Sequence, residues 1–153
     1  MSAFTIEPIG RVLGGREEVR DDEWAAERAI IRLDARFTPE AVAGLNAFSH
    51  LEVVYLFDRV DPSGVETGAR HPRGNPDWPR VGIFAQRAKD RPNRLGVSRC
   101  ALLKVDGREL YVRGLDAVAG TPVLDVKPWM DEFGPDGATH QPQWSRELMR
   151  GYW

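Results

Sequence analysis

The stretch SRCALLKVDGRELYVRGL, residues 98–115, decides the fold class. Its two apolar runs, 98–106 and 109–115, are strand candidates, and the Asp-Gly pair between them is a turn signal. Two more strand candidates lie on either side, at 81–85 and 123–127. Strands this short and this closely spaced predict a β-barrel or a β-sandwich.

Upstream, the sequence predicts three more strands and one short helix. Residues 4–13 alternate loosely between apolar and polar side chains, and 29–33 is a short apolar run. Residues 51–57 (LEVVYLF) are β-branched and aromatic, and the run is too short for a convincing helix, so we predict a central strand there. Residues 39–45 begin with proline and indicate one or two helical turns.

Two other segments carry no strand pattern. Residues 58–80 are rich in Pro, Gly, Asp and Arg, and a loop of this length is typical of a binding segment. Residues 141–153 place apolar side chains at roughly helical spacing, which predicts docking on the body of the protein or on a second subunit. Because there is no repeat and no linker, we expect 1–153 to form a single domain, with a core at 4–133 and a docking tail at 134–153.

Composition narrows the class of protein. At 153 residues the chain can bury an ordinary core without a disulfide or a metal. Cys100 is the only cysteine and no CxxC or His-rich spacing occurs, so we expect no disulfide and no bound metal. The start of the chain lacks a signal-peptide pattern, and no apolar run reaches the ~18 residues of a membrane span. We therefore expect a cytoplasmic protein with no membrane partner.

Charge is distributed unevenly along the chain. The formal net charge is -2, yet the stretch from Arg70 to Arg99 holds eight basic and two acidic residues. Such a concentration is typical either of a solvated face or of a surface that holds phosphate or carboxylate groups.

Several common catalytic motifs are absent from the sequence. No GxGxxG follows a strand, and P-loop, GxSxG and HExxH patterns do not occur, which disfavours the usual nucleotide-binding, kinase and hydrolase classes. The segment RAKDRPNRLG at 87–96 stands out instead, directly after an apolar run. Pro92 restricts the backbone, Asn93 offers a carbonyl and an amide, and Gly96 permits a close approach to the backbone. The same letters are also compatible with a plain turn whose arginines are solvated.

Two long stretches resemble the TsaA-like family, which includes tRNA methyltransferases of the TrmO type. They are GIFAQRAKDRPNRLGVS at 82–98 and GLDAVAGTPVLDVKPW at 114–129. FTIEPIGRV at 4–12 and GLNAFSHLEVVYLF at 44–57 extend the resemblance upstream, in the order that the family has. The resemblance implies a mostly antiparallel β-barrel that acts as a homodimer and binds S-adenosylmethionine near the dimer interface. It also implies methylation of N6 of threonylcarbamoyladenosine, the modified base beside the tRNA anticodon.

Carried over by motif, the resemblance places eleven residues around the cofactor. Phe84 or Leu95 would cover the adenine, and Arg87 or Arg91 would pair with the cofactor's carboxylate. Asp125 would accept from the ribose hydroxyls or the amino group, with a structural ion pair to Lys127 as the alternative. The full set is Phe84, Ala85, Arg87, Arg91, Pro92, Asn93, Leu95, Gly96, Asp125, Lys127 and Pro128.

The substrate side is less defined, and no residue is assigned as the general base. Where the tRNA-modifying members carry a Pro-Arg-Gln-like motif, this chain has RDDEW at 20–24, and its carboxylates would repel a phosphate backbone. Two alternatives to tRNA therefore stay open: a small-metabolite acceptor, or a sensor that binds the cofactor without turnover. Asp116 is expected either to cap a turn or to bind through its carboxylate. The candidate substrate residues are His50, Arg70, Arg73, Asp22 and Trp24.

Overall fold

Eight strands and a few short helical turns make up the structure, a computed structural model that describes residues 2–153. The strands are β1 (Gly10–Leu13), β2 (Arg28–Leu33), β3 (His50–Leu56), β4 (Ala69–Arg70), β5 (Val81–Gly82), β6 (Leu95–Asp106), β7 (Glu109–Arg113) and β8 (Pro122–Pro128).

Six of these strands close into a barrel in the order β1-β2-β7-β6-β3-β8, and β4 and β5 form a separate hairpin. Every strand pair is antiparallel. The prediction of a mainly β, mostly antiparallel barrel is confirmed. No helix within residues 2–153 combines the length and the apolar character that a membrane crossing requires.

The core fills the barrel with branched apolar side chains from alternate strand positions. In β3, for example, Leu51, Val53 and Tyr55 are buried while the residues between them are not. This period of two is what the strand geometry dictates. The remaining interior side chains include Val12, Ile31, Cys100, Leu110, Val112 and Val123.

Several predicted elements differ from the observed ones in extent. The first strand starts only at Gly10, since Pro8 has no N–H to give to a ladder. The run at 81–85 is a strand only as far as Gly82, after which Ile83–Ala85 is a 3₁₀ turn whose Ile83 is buried. The expected helix at 39–45 is a pair of 3₁₀ turns, Pro39–Val42 and Leu45–Ala47.

The chain beyond β8 returns to the barrel through α1 (Gln143–Leu148). The amide of Glu23 donates to the Gly151 carbonyl at 3.0 Å, and the amide of Trp24 donates to the Tyr152 carbonyl at 2.9 Å. The indole N–H of Trp78 donates to Glu147 Oε2 at 2.8 Å. The last residues therefore lie against both the 20–24 segment and the long loop.

Candidate functional site

The arginine-rich segment forms a tight bend where β3 ends and β6 begins. Pro92–Arg94 is a 3₁₀ turn, and Asn93 and Arg94 both adopt left-handed backbone angles, with φ of 63° and 50°. Two consecutive residues in this region are uncommon outside glycine, and such strain concentrates at functional sites. The Arg94 carbonyl accepts from the Phe57 amide at 2.8 Å, which closes the bend onto the barrel.

Gln86 fastens this bend to the neighbouring hairpin. Its side-chain amide donates to the backbone carbonyls of Arg70 at 3.1 Å and Val81 at 3.0 Å, and its backbone carbonyl accepts from Arg91 Nη1 at 2.7 Å. The residue is buried. Sequence reasoning gave Gln86 no role, and its position between Ala85 and Arg87 inside the motif is the only signal that points to it.

The arginines of the bend are used unequally. Arg87 is exposed, and one terminal nitrogen donates to the Val97 carbonyl at 2.8 Å. Arg94 donates to the Val60 carbonyl at 2.8 Å and so holds the start of the long loop. Arg87 makes no ion pair with any of the residues that the structure describes, so its charge is available to an anionic group.

The second half of the motif, at Asp125 to Pro128, lies on β8, which is separated from β6 by one strand, β3. Across the sheet, Val54 of β3 is paired with Val97 of β6 on one side and with Asp125 of β8 on the other. Val97 and Asp125 are therefore two strand spacings apart, about 10 Å. The two stretches therefore flank β3, and Arg87 is bonded to the one on β6.

A β-bulge explains why Asp125 points outward. The register shifts between Val54 and Tyr55, so that Tyr55 faces Val123 while Val54 faces Asp125, and Leu124 is the extra residue. Val123 is buried in the barrel and Asp125 is exposed, although two residues apart they would otherwise share a face. The Asp125 carboxylate accepts only from the amide of Val126, at 2.9 Å, among residues 2–153.

Asp125 and Lys127 form no ion pair in the described part of the chain, so the structural alternative for these residues is not observed. Lys127 is exposed on β8, next to Glu52 in register. Pro128 follows it at the end of the strand, beside Leu51.

The first stretch exposes apolar side chains to solvent. Phe84 is 75% exposed, Leu95 36% and Val97 42%. A pocket of about 550 Å³ adjoins Asp125 at the barrel end where β2 and β8 terminate, and no residue of 84–96 lines it. Asp125 and Pro128 contribute to its wall, which is otherwise apolar.

Other motif residues have structural neighbours that sequence reasoning did not foresee. Gly96 is buried, and a Cβ there would lie 2.5 Å from the ring of Tyr55 and 3.0 Å from Phe57. The space that a side chain at Gly96 would need is thus filled by the protein's own aromatic rings. Ala85 and Asn93 are exposed, and Pro92 is half-buried.

Asp116, in the loop between β7 and β8, connects β3 to the tail. Its carboxylate accepts from the hydroxyl of Tyr55 at 3.1 Å and also from the hydroxyl of Tyr152. Burial, followed by the negative charge of Asp116, raises the pKa of both phenols far above their usual range, while the nearby Arg87 lowers it. Burial also raises the pKa of the Cys100 thiol to about 12, which suits a core residue rather than a nucleophile.

Three of the candidate substrate residues, Arg70, Arg73 and Asp22, form ion pairs near the bend. Arg73 holds Asp22 with both terminal nitrogens, at 2.9 and 3.3 Å, and Arg70 pairs with Asp90 at 3.0 Å. These four residues lie along the long loop, the bend and the 20–24 segment.

Trp24 and His50 do not present free surfaces to this region. Trp24 is 4% exposed, and the guanidinium of Arg16 covers its ring at 3.8 Å. The indole therefore fills the interior of the 20–24 segment. His50 begins β3, about 20 Å from the strand's other end at Leu56. Its Nδ1 lies 2.7 Å from the hydroxyl of Ser49.

The fold and the site define the class of protein: a six-stranded antiparallel β-barrel with an arginine-proline-asparagine bend before β6 and an outward aspartate on β8. The family model described as the tRNA-methyltransferase O N-terminal domain matches residues 20–134, and the chain belongs to this family. The family resemblance that the sequence motifs indicate is thereby confirmed.

Individual relatives and structures agree with this family. The chain is 39% identical over 112 residues to the tRNA (adenine(37)-N6)-methyltransferase of Escherichia coli, covering 68% of this chain and 46% of that protein. It is 38% identical over 136 residues to a protein of Methanothermobacter thermautotrophicus named "Probable S-adenosyl-L-methionine-binding protein", covering 84% and 91%. The crystal structure of TrmO from Pseudomonas aeruginosa superposes with a TM-score of 0.76 at 26% identity, covering 94% of this chain and 62% of that one.

The chain spans less than half of several relatives. It matches 46% of the Escherichia coli enzyme, and 24% of the human tRNA (adenine(37)-N6)-methyltransferase at 35% identity over 109 residues.

Proposed function

We propose that this chain binds S-adenosylmethionine between the 84–96 bend and Asp125 and transfers its methyl group to an adenine base of tRNA. The observation that carries the proposal is the pairing across β3, because Val97, whose carbonyl accepts from the unneutralised Arg87, lies on the same face as the outward Asp125. The family model described as the tRNA-methyltransferase O N-terminal domain matches residues 20–134 and so includes the stretch of chain that builds this face.

The residues present fit this cofactor. Arg87 offers N–H donors for a carboxylate, because only one of its terminal nitrogens is engaged with a described residue. The exposed side chains of Phe84 and Leu95 supply apolar area for an adenine ring, and Asp125 supplies acceptors for hydroxyl groups.

S-adenosylmethionine supplies a methyl group already activated by a sulfonium, so the chain's task is alignment rather than activation of the donor. Gln86 contributes by fixing the bend, since its side-chain amide donates to the backbone carbonyls of Arg70 and Val81 and its backbone carbonyl accepts from the Arg91 side chain. The strained backbone at Asn93 and Arg94 is held in place by the bonds of Arg94 to Val60 and Phe57.

We also propose that two copies form a homodimer through the outer face of β6 and β3. Leu95 and Val97 expose apolar surface on β6, Phe84 exposes its ring in the turn after β5, and a cofactor between Arg87 and Asp125 would lie open to water in a single copy. A partner subunit over this face would bury both the apolar side chains and the cofactor. In the same proposal residues 134–153 act as a docking tail on the 4–133 core, in a protein that works in the cytoplasm without a metal.

The 20–24 segment favours RNA over a small metabolite as acceptor. Asp22 is neutralised by Arg73 and Glu23 lies 3.5 Å from Arg20, so the carboxylates are less repulsive than their number indicates. Trp24 is covered by Arg16 and offers no ring face to a small aromatic or cationic substrate.

Calorimetry with S-adenosylmethionine tests the cofactor site. Arg87→Ala should weaken binding by about 1.5–3 kcal/mol, the loss of a hydrogen bond to a charged group. Arg113→Ala, which removes an exposed arginine from β7, is the matched control and should leave the affinity as it is. Equal affinity of Arg87→Ala and the unchanged protein would refute this placement.

A methyl-transfer assay tests the acceptor. The protein is incubated with methyl-labelled cofactor and either total tRNA or a small-metabolite extract, and S-adenosylhomocysteine is measured. Label in tRNA supports the proposal, and label only in the extract refutes the RNA acceptor. Cofactor binding without S-adenosylhomocysteine in either pool would identify a sensor.

A further inference from the structure

The end of the tail presents an aromatic pair at the surface. The rings of Tyr152 and Trp153 meet edge to face, with centroids 4.9 Å apart and planes at 89°. Tyr152 is half-buried, whereas Trp153 is 47% exposed. A large flat ring that is held on one side and open on the other can accept a second ring by stacking.

This pair is fixed rather than loose. Tyr152 is bonded through its hydroxyl to Asp116 and through its carbonyl to the Trp24 amide, and the Gly151 carbonyl accepts from Glu23. Farther back in the tail, Glu147 accepts from the indole of Trp78. Tyr152, on which the Trp153 ring packs, is thereby held in place before any ligand arrives, which reduces the entropy lost on binding.

A continuous series of contacts connects this pair to the cofactor bend. Tyr152 and Tyr55 bond to the same Asp116 carboxylate, and the Tyr55 ring packs on Gly96. Gly96 precedes Val97, whose carbonyl accepts from Arg87. The charge of Arg87 also lowers the pKa of Tyr152, as expected if the guanidinium lies near the tail.

We propose that Trp153 is a stacking platform for the base that accepts the methyl group, held in place by Tyr152 and Asp116. The inference rests on the proposed function and adds a substrate-contacting residue outside the 20–134 range that the family model covers. An exposed indole that is held on one side is suited to an unstacked base, since the ring can stack on the base.

The test uses the full chain and an RNA hairpin with an adenosine in its single-stranded loop. Trp153→Ala should weaken hairpin binding by about 5- to 150-fold, the loss of one base-aromatic stack, and Trp153→Phe should retain most of the affinity. In the transfer assay Trp153→Ala should raise KM for the hairpin far more than it lowers kcat. Affinity for S-adenosylmethionine should not change. Phe133→Ala, which removes another exposed ring, should behave like the unchanged protein.

Two results would overturn this inference. One is equal hairpin affinity for Trp153→Ala and the unchanged protein. The other is a loss of S-adenosylmethionine affinity in Trp153→Ala, which would place the indole against the cofactor's own adenine. Both differ from failure of the proposed function, in which the unchanged protein binds no cofactor or transfers no methyl group, whatever Trp153 does for hairpin binding.

Discussion

Tyr55 occupies the space that any side chain at Gly96 would need. A Cβ at Gly96 would lie 2.5 Å from both Cε2 and Cζ of the Tyr55 ring, and the two residues face each other across β3 and β6. The glycine thus brings the tyrosine hydroxyl within reach of Asp116 and, through it, of the tail.

Gly96→Ala should therefore destabilise the fold by about 1–3 kcal/mol, the usual cost of overpacking a filled interior. The free energy of unfolding from urea titration measures this effect. Gly64→Ala is the matched control, because no atom lies within 4 Å of a Cβ at that position. If both variants lose the same stability, the Tyr55 contact is not the cause.

The two phenols bonded to Asp116 predict a loss of stability at alkaline pH. Their pKa values are raised above the usual 10.0, so the folded state binds the phenolic protons more tightly than the unfolded chain does. The resulting stabilisation is complete below pH 10 and is lost as the pH rises above it, by about 1.4 kcal/mol per pH unit for each phenol.

Tyr152→Phe tests that linkage. At pH 7 it removes a hydrogen bond to a carboxylate and should cost about 1–2 kcal/mol, and above pH 10 its stability should decline less steeply than that of the unchanged protein. Urea titrations at a series of pH values give both quantities. Parallel pH profiles would show that Tyr152 ionises as freely in the folded state as in the unfolded chain.

Gln86→Met should destabilise the 84–96 bend. Methionine has a similar volume but no amide, so the carbonyls of Arg70 and Val81 lose their donor inside the protein. We expect a destabilisation of about 1–3 kcal/mol and weaker binding of S-adenosylmethionine by calorimetry.

Gln141→Met is the control for this substitution. Gln141 is exposed and donates to the Ser145 hydroxyl at 3.1 Å, so its replacement should change neither stability nor cofactor affinity by much. Gln86→Met with unchanged stability would mean that those two carbonyls find other donors.

Strands with a strong local pattern were predictable from the sequence. The run at 51–57 is observed at 50–56, and 109–115 at 109–113, because β-branched and aromatic residues with period two have few alternatives. The prediction of a strand at 81–85 was wrong beyond Gly82, because these apolar residues also suit a buried 3₁₀ turn. The partner strand, Ala69–Arg70, has only two residues.

The candidate site depends on information that local sequence does not contain. Val97, whose carbonyl accepts from Arg87, and Asp125 share a face only because of the β3 register and the bulge at Leu124. The bond from Tyr152 to Asp116 joins residues 36 apart in the chain, and Tyr55 is 61 residues from Asp116. Motif order could indicate candidate residues at 84–96 and at Asp125, but not that the tail supplies a tyrosine that bonds to Asp116.

Asp22 restrains an arginine that RNA could otherwise use. Arg73 and Asp22 are each partly exposed, with 31% and 39% of the side chain accessible, so their ion pair should contribute less than about 1 kcal/mol to stability. Asp22→Asn should consequently fold normally and release the Arg73 charge. If RNA phosphates approach this face, hairpin affinity should rise, and the slope of log K against log salt should steepen by about 0.7 for each phosphate gained. Asp136→Asn, an exposed carboxylate in the tail, controls for the change in net charge. Adding Arg73→Ala to Asp22→Asn should abolish the gain, whereas an equal gain from Asp136→Asn would show that only net charge matters.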